Sequence, residues 1–172
     1  MKKRAQVWVE TVIYTLIAFV MISLVLAYAK PKIEEMQDKA IIEQSIDMLT
    51  DINHAVLSVV QGGAGNKRFL EIGIKKGVLK IDAENDKLIF ELESRHTYTE
   101  PGKEISLGEI DVYTEKIGKY NKVTLTKDYS TSYNITYIEE DKLKTLNKAS
   151  IPYQLFIMNR GGEKIVIDFE AA

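Results

Sequence analysis

Residues 1–29 read MKKRAQVWVETVIYTLIAFVMISLVLAYA, an apolar run behind a short charged start. Three cations, Lys2, Lys3 and Arg4, precede the run, and one carboxylate, Glu10, lies inside it. A helix of this length can cross about 30 Å of hydrocarbon, since each residue adds about 1.5 Å. An ionisable side chain within a membrane span costs at least about 2.5 kcal/mol, so Glu10 indicates a function and a partner.

The residues in front of the apolar run follow a specific order. Basic residues lead to the small Ala5, then to Gln6, and Glu10 follows four positions later. This order resembles the class III, prepilin-type signal peptide of archaeal type IV pilin-like proteins. The resemblance implies that a prepilin peptidase cleaves between Ala5 and Gln6 and leaves the apolar helix on the mature chain. It also implies that Glu10 pairs with the N-terminal amine of an adjacent subunit.

Two other interpretations of this segment stay open. Lys2, Lys3 and Arg4 could hold the N-terminus of an ordinary signal anchor in the cytoplasm. Alternatively, Ala27-Tyr28-Ala29 matches the small-x-small site at which a secretory signal is cleaved. A Glu inside the apolar run and a run longer than about 15 residues are unusual for a secretory signal.

The sequence predicts five consecutive segments. A leader (1–5) precedes a hydrophobic transmembrane or filament-core helix (6–30), and an amphipathic stalk helix (31–61) follows. A Gly-rich hinge or cap (62–67) then leads to a β-rich extracellular head (68–172). The residues that remain after one membrane helix are enough for one ectodomain with its own core.

The stalk helix is predicted from the spacing of its apolar residues. Pro31 predicts a kink or a new helix start, because proline lacks the N–H that an interior helical residue donates. Beyond it, apolar residues recur mostly every three or four positions, opposite an acidic face. The apolar positions are Met36, Ala40, Ile42, Ile46, Leu49, Ile52, Val56 and Val59, and the acidic ones are Glu34, Asp38, Glu43, Asp47 and Asp51. We expect this stripe to pack on the head, with contacts between subunits as the alternative for the part from Met36 to Ile42.

The head is predicted to be rich in antiparallel strands, because alternating apolar residues are separated by turns that carry Gly, Pro, Asn or Asp. A short helical turn is expected near residues 140–147. The predicted strands are 69–75, 78–82, 88–94, 109–114, 122–127, 133–138, 153–159 and 164–169. Strands this close together favour a β-sandwich or curled sheet, so the fold class is α+β: a long N-terminal helix followed by an antiparallel β-rich head.

Composition excludes several functions. The formal net charge is −2 with Lys and Glu interspersed, which disfavours nucleic-acid binding. Cysteine is absent, which excludes disulfides, thiolate metal sites and a cysteine nucleophile.

Residues that could carry chemistry are few. His54 and His96 are too far apart in sequence for a local metal pair. Residues 82–86 (DAEND) lack the Gly and closing Glu of a helix-loop-helix calcium site. The glycines of residues 61–66 lack the Lys-Ser/Thr ending of a phosphate-binding loop. We therefore expect no enzyme activity, no metal and no cofactor.

Two further patterns concern the surface of the head. Its tyrosines are expected mostly to fill half-buried sheet faces, with an exposed subunit contact or sugar-binding platform as the alternative. They are Tyr98, Tyr113, Tyr120, Tyr129, Tyr133, Tyr137 and Tyr153. Asn134-Ile135-Thr136 is an N-glycosylation sequon, so Asn134 is a candidate modification site.

Together these observations predict a structural subunit of an archaeal type IV pilus-like surface filament, with adhesion or surface attachment as its role. The resemblance implies identical or related pilin subunits as partners, together with prepilin peptidase, a membrane assembly platform and the membrane before assembly. The precursor would have its N-terminus in the cytoplasm, and the mature protein would be extracellular. The alternatives are a non-polymerising, membrane-anchored ectodomain that binds a ligand or protein, and an archaellum-type motility subunit.

Overall fold

The computed structural model describes residues 2–172, with side chains from Val7 onward. Within this range the chain forms one helix and ten strands. The helix is α1 (Lys2–Gln61). The strands are β1 (Lys67–Ile72), β2 (Val78–Asp82), β3 (Lys87–Ser94), β4 (Glu104–Leu107), β5 (Ile110–Ile117), β6 (Tyr120–Asp128), β7 (Asn134–Tyr137), β8 (Leu143–Asn147), β9 (Tyr153–Gly161) and β10 (Val166–Ala171).

The chain divides into two compact units, one ending at Gln37 and one from Asp38 to Ala172. Helix α1 contributes to both, and it continues through Pro31, where the sequence predicted an interruption. A helix can accommodate a proline at the cost of one backbone hydrogen bond.

Within the second unit, α1 buries one face. Ile42, Leu49, Ile52, Val56 and Val59 have no exposed surface, which confirms most of the predicted stripe. Leu49, Ile52, Val56 and Val59 follow one another at three or four positions, so they share one side of the helix. This side belongs to one continuous core that also contains the buried faces of the sheets.

The beginning of the predicted stripe is different. Met36 is 72% exposed and Ala40 is also exposed. Asp38, which we expected on the solvent-facing side, is buried. The covered part of α1 therefore begins later than its apolar spacing suggested.

The strands form two sheets, in agreement with the predicted α+β class. One sheet has the order β1-β9-β10-β7 and the other has the order β4-β5-β6-β3-β2-β8. All pairs are antiparallel except β10 with β7, which is parallel. Residues two apart on a strand face the same side, and the buried Leu88, Phe90 and Leu92 of β3 follow this period.

Two strands were missed from the sequence. The helical turn expected near residues 140–147 is wrong, because β8 occupies most of it and pairs with β2. Leu146 of β8 lies opposite Leu79 of β2, and both are buried. Tertiary pairing has overridden local helix propensity here. The other missed strand, β4, reads Glu-Ile-Ser-Leu, so polar and apolar residues alternate in it, but it has only four residues and all of them are exposed.

The glycine-rich segment ends α1 and ties it to the sheet. Gly63 and Gly65 have φ values of 80° and 84°, which glycine adopts without steric cost. The Gly65 N–H donates to the Asn159 carbonyl at 2.7 Å, and the Asn159 side chain donates to the Val59 carbonyl at 3.2 Å. Asn159 of strand β9 thus holds the C-terminal end of α1 through these two hydrogen bonds.

Candidate functional site

The apolar segment, residues 7–29, is the first candidate site, because its side chains up to Tyr28 are exposed in the described chain. Every residue from Val7 to Leu26 is exposed, among them Trp8 (70%), Leu16 (59%) and Leu24 (62%). The segment contains the one described stretch long and apolar enough to cross a membrane, with a mean hydropathy of 2.4. These properties indicate membrane anchoring.

The threonine and serine hydroxyl groups of this segment are satisfied inside the helix. Thr11, Thr15 and Ser23 each donate to the carbonyl four residues earlier, at 2.8–2.9 Å. A helix that satisfies its own backbone and hydroxyl groups can lie in hydrocarbon. These three residues therefore leave the segment apolar in character.

Glu10 is the one side chain of this segment that can carry a charge. It is exposed, and its Oε1 accepts a hydrogen bond from the Tyr14 hydroxyl at 3.1 Å, one helical turn away. A neutral hydroxyl provides no counter-charge for a carboxylate. The predicted leader charges and cleavage site, Lys2, Lys3, Arg4, Ala5 and Gln6, have side chains outside the described part of the chain.

The predicted surface residues of the head are distributed between core and solvent. Tyr129 and Tyr137 are buried, and Tyr98, Tyr133 and Tyr153 are partly buried. Tyr113 and Tyr120 are exposed, and the Tyr120 ring lies 5.5 Å from the Arg95 guanidinium. The seven tyrosines thus form no single exposed platform.

Asn134 lies at the start of β7, and its backbone N–H donates to the Ile165 carbonyl. The hydroxyl of Thr136 in the same sequon donates to Asp168 Oδ1 at 2.8 Å. The sequon is therefore part of a paired strand in the folded protein, and glycosylation of Asn134 remains a prediction.

The predicted weak candidates for metal binding are also dispersed. His54 is exposed on α1, and His96 lies after β3 with its ring 6.2 Å from that of Tyr98. In the turn between β2 and β3, Asp82 accepts two hydrogen bonds from Asn85, and Asp86 accepts one from the Ile135 N–H at 2.7 Å. Across the described residues, no three His, Cys, Asp or Glu side chains are grouped as metal ligands.

The structure brings together polar residues that the sequence did not single out. Asp38 accepts hydrogen bonds from the Lys76 ammonium and, at 2.7 Å, from the Arg95 backbone N–H. Both donors lie in connections that flank β2 and β3, so this carboxylate joins α1 to the six-stranded sheet. The sequence placed Asp38 on the acidic face of the helix and gave no sign of these donors.

A second such group surrounds Asn53 of α1. Its Oδ1 accepts from the Tyr129 hydroxyl at 3.1 Å, and its Nδ2 donates to Glu109 Oε2, which also accepts from Lys127 Nζ at 3.0 Å. The hydrogen bond and positive charge of Lys127 lower the pKa of Glu109, while burial raises the pKa of Tyr129. Asn53 follows Leu49 by four positions and precedes Val56 by three, so it is a polar residue within the apolar stripe. This position was the one sign in the sequence that Asn53 would be buried and would need polar partners.

A third group lies on the four-stranded sheet. Burial acts to raise the pKa of Asp168, but hydrogen bonds from the Glu139 N–H, Arg160 and Thr136 outweigh it and lower this pKa. The Glu139 N–H bond is 2.8 Å long and stabilises a turn in which Ile138 and Glu139 both have positive φ. This group maintains a turn that non-glycine residues rarely adopt.

No known protein family, curated protein or solved structure matches this chain. The described architecture, a long apolar N-terminal helix followed by a β-rich domain, is consistent with a pilin-like arrangement.

Proposed function

We propose that this chain is a structural subunit of an archaeal type IV pilus-like surface filament that assembles through its apolar segment. The observation that carries the proposal is the contrast between a folded unit that covers its own core and a segment exposed all around. Such a segment requires an apolar environment, which lipid supplies before assembly and neighbouring helices can supply afterwards.

Glu10 gives the proposed assembly its specificity. In lipid the carboxylate has only the Tyr14 hydroxyl beside it within the described chain. In a filament, the amine released at Gln6 by cleavage after Ala5 on an adjacent subunit would supply the opposite charge. Because opposite charges attract strongly where water is excluded, this pair would fix the position of an incoming subunit.

The exposed start of the predicted stripe fits a contact between subunits. Ile33 and Met36 are 53% and 72% exposed, although they continue the apolar character of the helix. These side chains extend the apolar surface beyond residue 29. The adjacent charges Lys32 and Glu35 pair with each other at 2.8 Å.

The test is Glu10→Gln, which keeps the shape of the side chain and removes its charge. We expect the variant to be inserted, cleaved and folded normally but to enter filaments poorly. In cells that express both forms, the variant should be depleted in purified filaments relative to the membrane pool, as measured by peptide mass spectrometry. Equal representation in the two pools would contradict the proposed charge pair.

Two controls sharpen this test. Tyr14→Phe removes the hydroxyl that contacts Glu10, and assembly should continue if the essential partner lies on another subunit. Glu43→Gln removes an exposed charge from the same helix outside the apolar segment and should have no effect. Electron microscopy of cells with and without the gene separates a filament from a non-polymerising ectodomain, and a swimming assay separates a pilus from an archaellum.

A further inference from the structure

Four side chains of the second unit form a closed ring of contacts between α1 and the six-stranded sheet. Glu109 Oε2 accepts hydrogen bonds from Lys127 Nζ at 3.0 Å and from Asn53 Nδ2. The Tyr129 hydroxyl donates to Asn53 Oδ1 at 3.1 Å, and the centre of its ring lies 5.3 Å from Lys127 Nζ. An amine, a carboxamide, a carboxylate and a phenol therefore meet in one place.

We propose that Lys127 and Asn53 join in an intramolecular isopeptide bond, with Glu109 and Tyr129 as the catalytic residues of this self-modification. The bond would link Nζ of Lys127 on β6 to Cγ of Asn53 on α1. This inference does not depend on whether the chain forms filaments.

The reaction needs only the groups that are present. The Glu109 carboxylate takes a proton from the Lys127 ammonium, and the neutral amine attacks Cγ of Asn53. The Tyr129 hydroxyl stabilises the negative charge that develops on Oδ1, as a donor in an oxyanion hole does. Glu109 then returns the proton to Nδ2, the Cγ–Nδ2 bond breaks, and the second ammonium proton leaves through solvent or with the departing ammonia. The products are the isopeptide bond and ammonium, with no oxidation or reduction.

The positions of the four groups suit these roles. Both reacting nitrogens contact the same oxygen of Glu109, so a single carboxylate can take the proton from one and deliver it to the other. Because Glu109 Oε2 contacts both groups, the amine and the amide are held at one carboxylate of the folded protein, which replaces a bimolecular encounter by a unimolecular step. Asn53 and Tyr129 are 5% and 2% exposed, which limits competition from water.

The exposure of the remaining two groups also fits. The Lys127 side chain is 13% exposed, whereas that of Glu109 is 60% exposed, so ammonium has a route to solvent. The hydrogen bond and positive charge of Lys127 lower the pKa of Glu109, so this carboxylate is ionised and can accept a proton. Release of ammonium into solvent draws the reaction forward.

Such a bond would perform the task of a disulfide in a chain without cysteine. It would connect residues distant in sequence and so reduce the conformational freedom of the unfolded chain. It would also anchor the part of α1 that covers the sheets. A subunit under mechanical load would gain a covalent path from helix to sheet.

The test is peptide mass spectrometry of the full chain, produced in a bacterial host and purified in detergent. Trypsin should release residues 40–67 joined to residues 123–142, since modified Lys127 is not cleaved, with a total mass lower than the sum of the two peptides by one ammonia molecule. Recovery of residues 40–67 and 123–127 as separate, unmodified peptides from the folded protein would overturn the proposal.

Variants assign the roles. Lys127→Arg keeps the positive charge but removes the nucleophilic amine, so the linked peptide should disappear. Glu109→Gln should lose most of the linkage while circular dichroism shows an unchanged fold. Lys122→Arg, on the same strand and paired with Glu91, is the matched control and should remain fully linked. Complete linkage in Glu109→Gln would overturn the catalytic role of Glu109.

Discussion

The two parts of helix α1 carry similar aliphatic side chains in opposite surroundings. Leu16 and Leu24 are 59% and 62% exposed, whereas Leu49 has no exposed surface. Apolar residues occupy every side of the helix in the first part but one side in the second. This difference shows that the second part is matched to the protein's own sheets, while the first requires cover from outside the described chain.

The polar groups of the two parts differ in the same way. Asp38 meets a lysine and a backbone N–H of its own unit, and Asn53 meets Tyr129 and Glu109. Glu10 meets only the hydroxyl of Tyr14 among the described residues. A polar group that lipid or neighbouring helices surround needs a partner, and the proposed pairing with an adjacent subunit would supply one to Glu10.

The largest effect is expected from removing one part of the helix or the other. A fragment of residues 38–172 should fold as a soluble monomer, because the apolar side of its helix is covered. A fragment of residues 62–172 loses five fully buried aliphatic side chains, worth about 8–15 kcal/mol at about 1.5–3 kcal/mol each, and should unfold or aggregate. Circular dichroism and size-exclusion chromatography provide the measurements. Aggregation of the longer fragment would show that the stripe is mainly an interface between subunits.

The next comparison uses the same substitution in both parts of α1. Leu49→Ala should destabilise the second unit by about 2–5 kcal/mol, because it creates a cavity in a packed core. Leu24→Ala, the matched control, should change this stability by less than about 0.5 kcal/mol, because Leu24 lies outside that core. Denaturant unfolding of the full chain in detergent, followed by near-ultraviolet circular dichroism of the tyrosines, measures both. Equal effects would contradict the separation of the two parts.

A smaller effect is expected at the carboxylate that begins the second unit. Asp38→Ala should destabilise it by about 2 kcal/mol, the usual contribution of hydrogen bonds to a charged group. Asp51→Ala removes an exposed carboxylate from the same helix and should stay within about 0.5 kcal/mol. Unfolding of residues 38–172 in urea measures the difference. Identical midpoints for the two variants would mean that the Lys76 and Arg95 contacts contribute nothing.

The smallest effect concerns acid stability. Burial acts to raise the pKa of Asp128, but hydrogen bonds from Ser130 and Lys87 dominate and lower it from 3.8 to about 2. Because the folded-state pKa lies below the unfolded one, the stabilisation is complete above about pH 4 and is lost as pH falls towards 2. Its size should be below about 1 kcal/mol, since the Asp128 side chain is 38% exposed.

Asp128→Asn tests this origin of the pH dependence. The variant should be slightly less stable than the wild-type protein at pH 6, and the two should converge as pH approaches 2. Thermal unfolding of residues 38–172 across this range measures the convergence. A difference that stays constant from pH 6 to pH 2 would show that the charge of Asp128 is not its source.

Much of the architecture was predictable because it depends on local patterns. The apolar run gave the first part of α1, the spacing of Leu49, Ile52 and Val56 gave the covered side, and alternation gave most strands. The missed strands β4 and β8 are short, and their formation depends on β5 and β2 beside them. Strand β8 pairs with β2, which lies far earlier in the sequence, and such pairing leaves no signal in a short stretch of sequence. Strand β4 pairs with the neighbouring β5, and its alternating Glu-Ile-Ser-Leu sequence was a signal that the prediction missed.

The amino-acid sequence by itself determined that the chain has an apolar N-terminal helix, a carboxylate within it and a β-rich domain without cysteine, because hydrophobic periodicity and composition act locally. Only the tertiary structure decided that Asp38 is buried, that β7 and β10 are parallel, and that Asn53 meets Glu109, Lys127 and Tyr129. Most of these contacts join residues dozens of positions apart, and their geometry is set by how the sheets and the helix pack together.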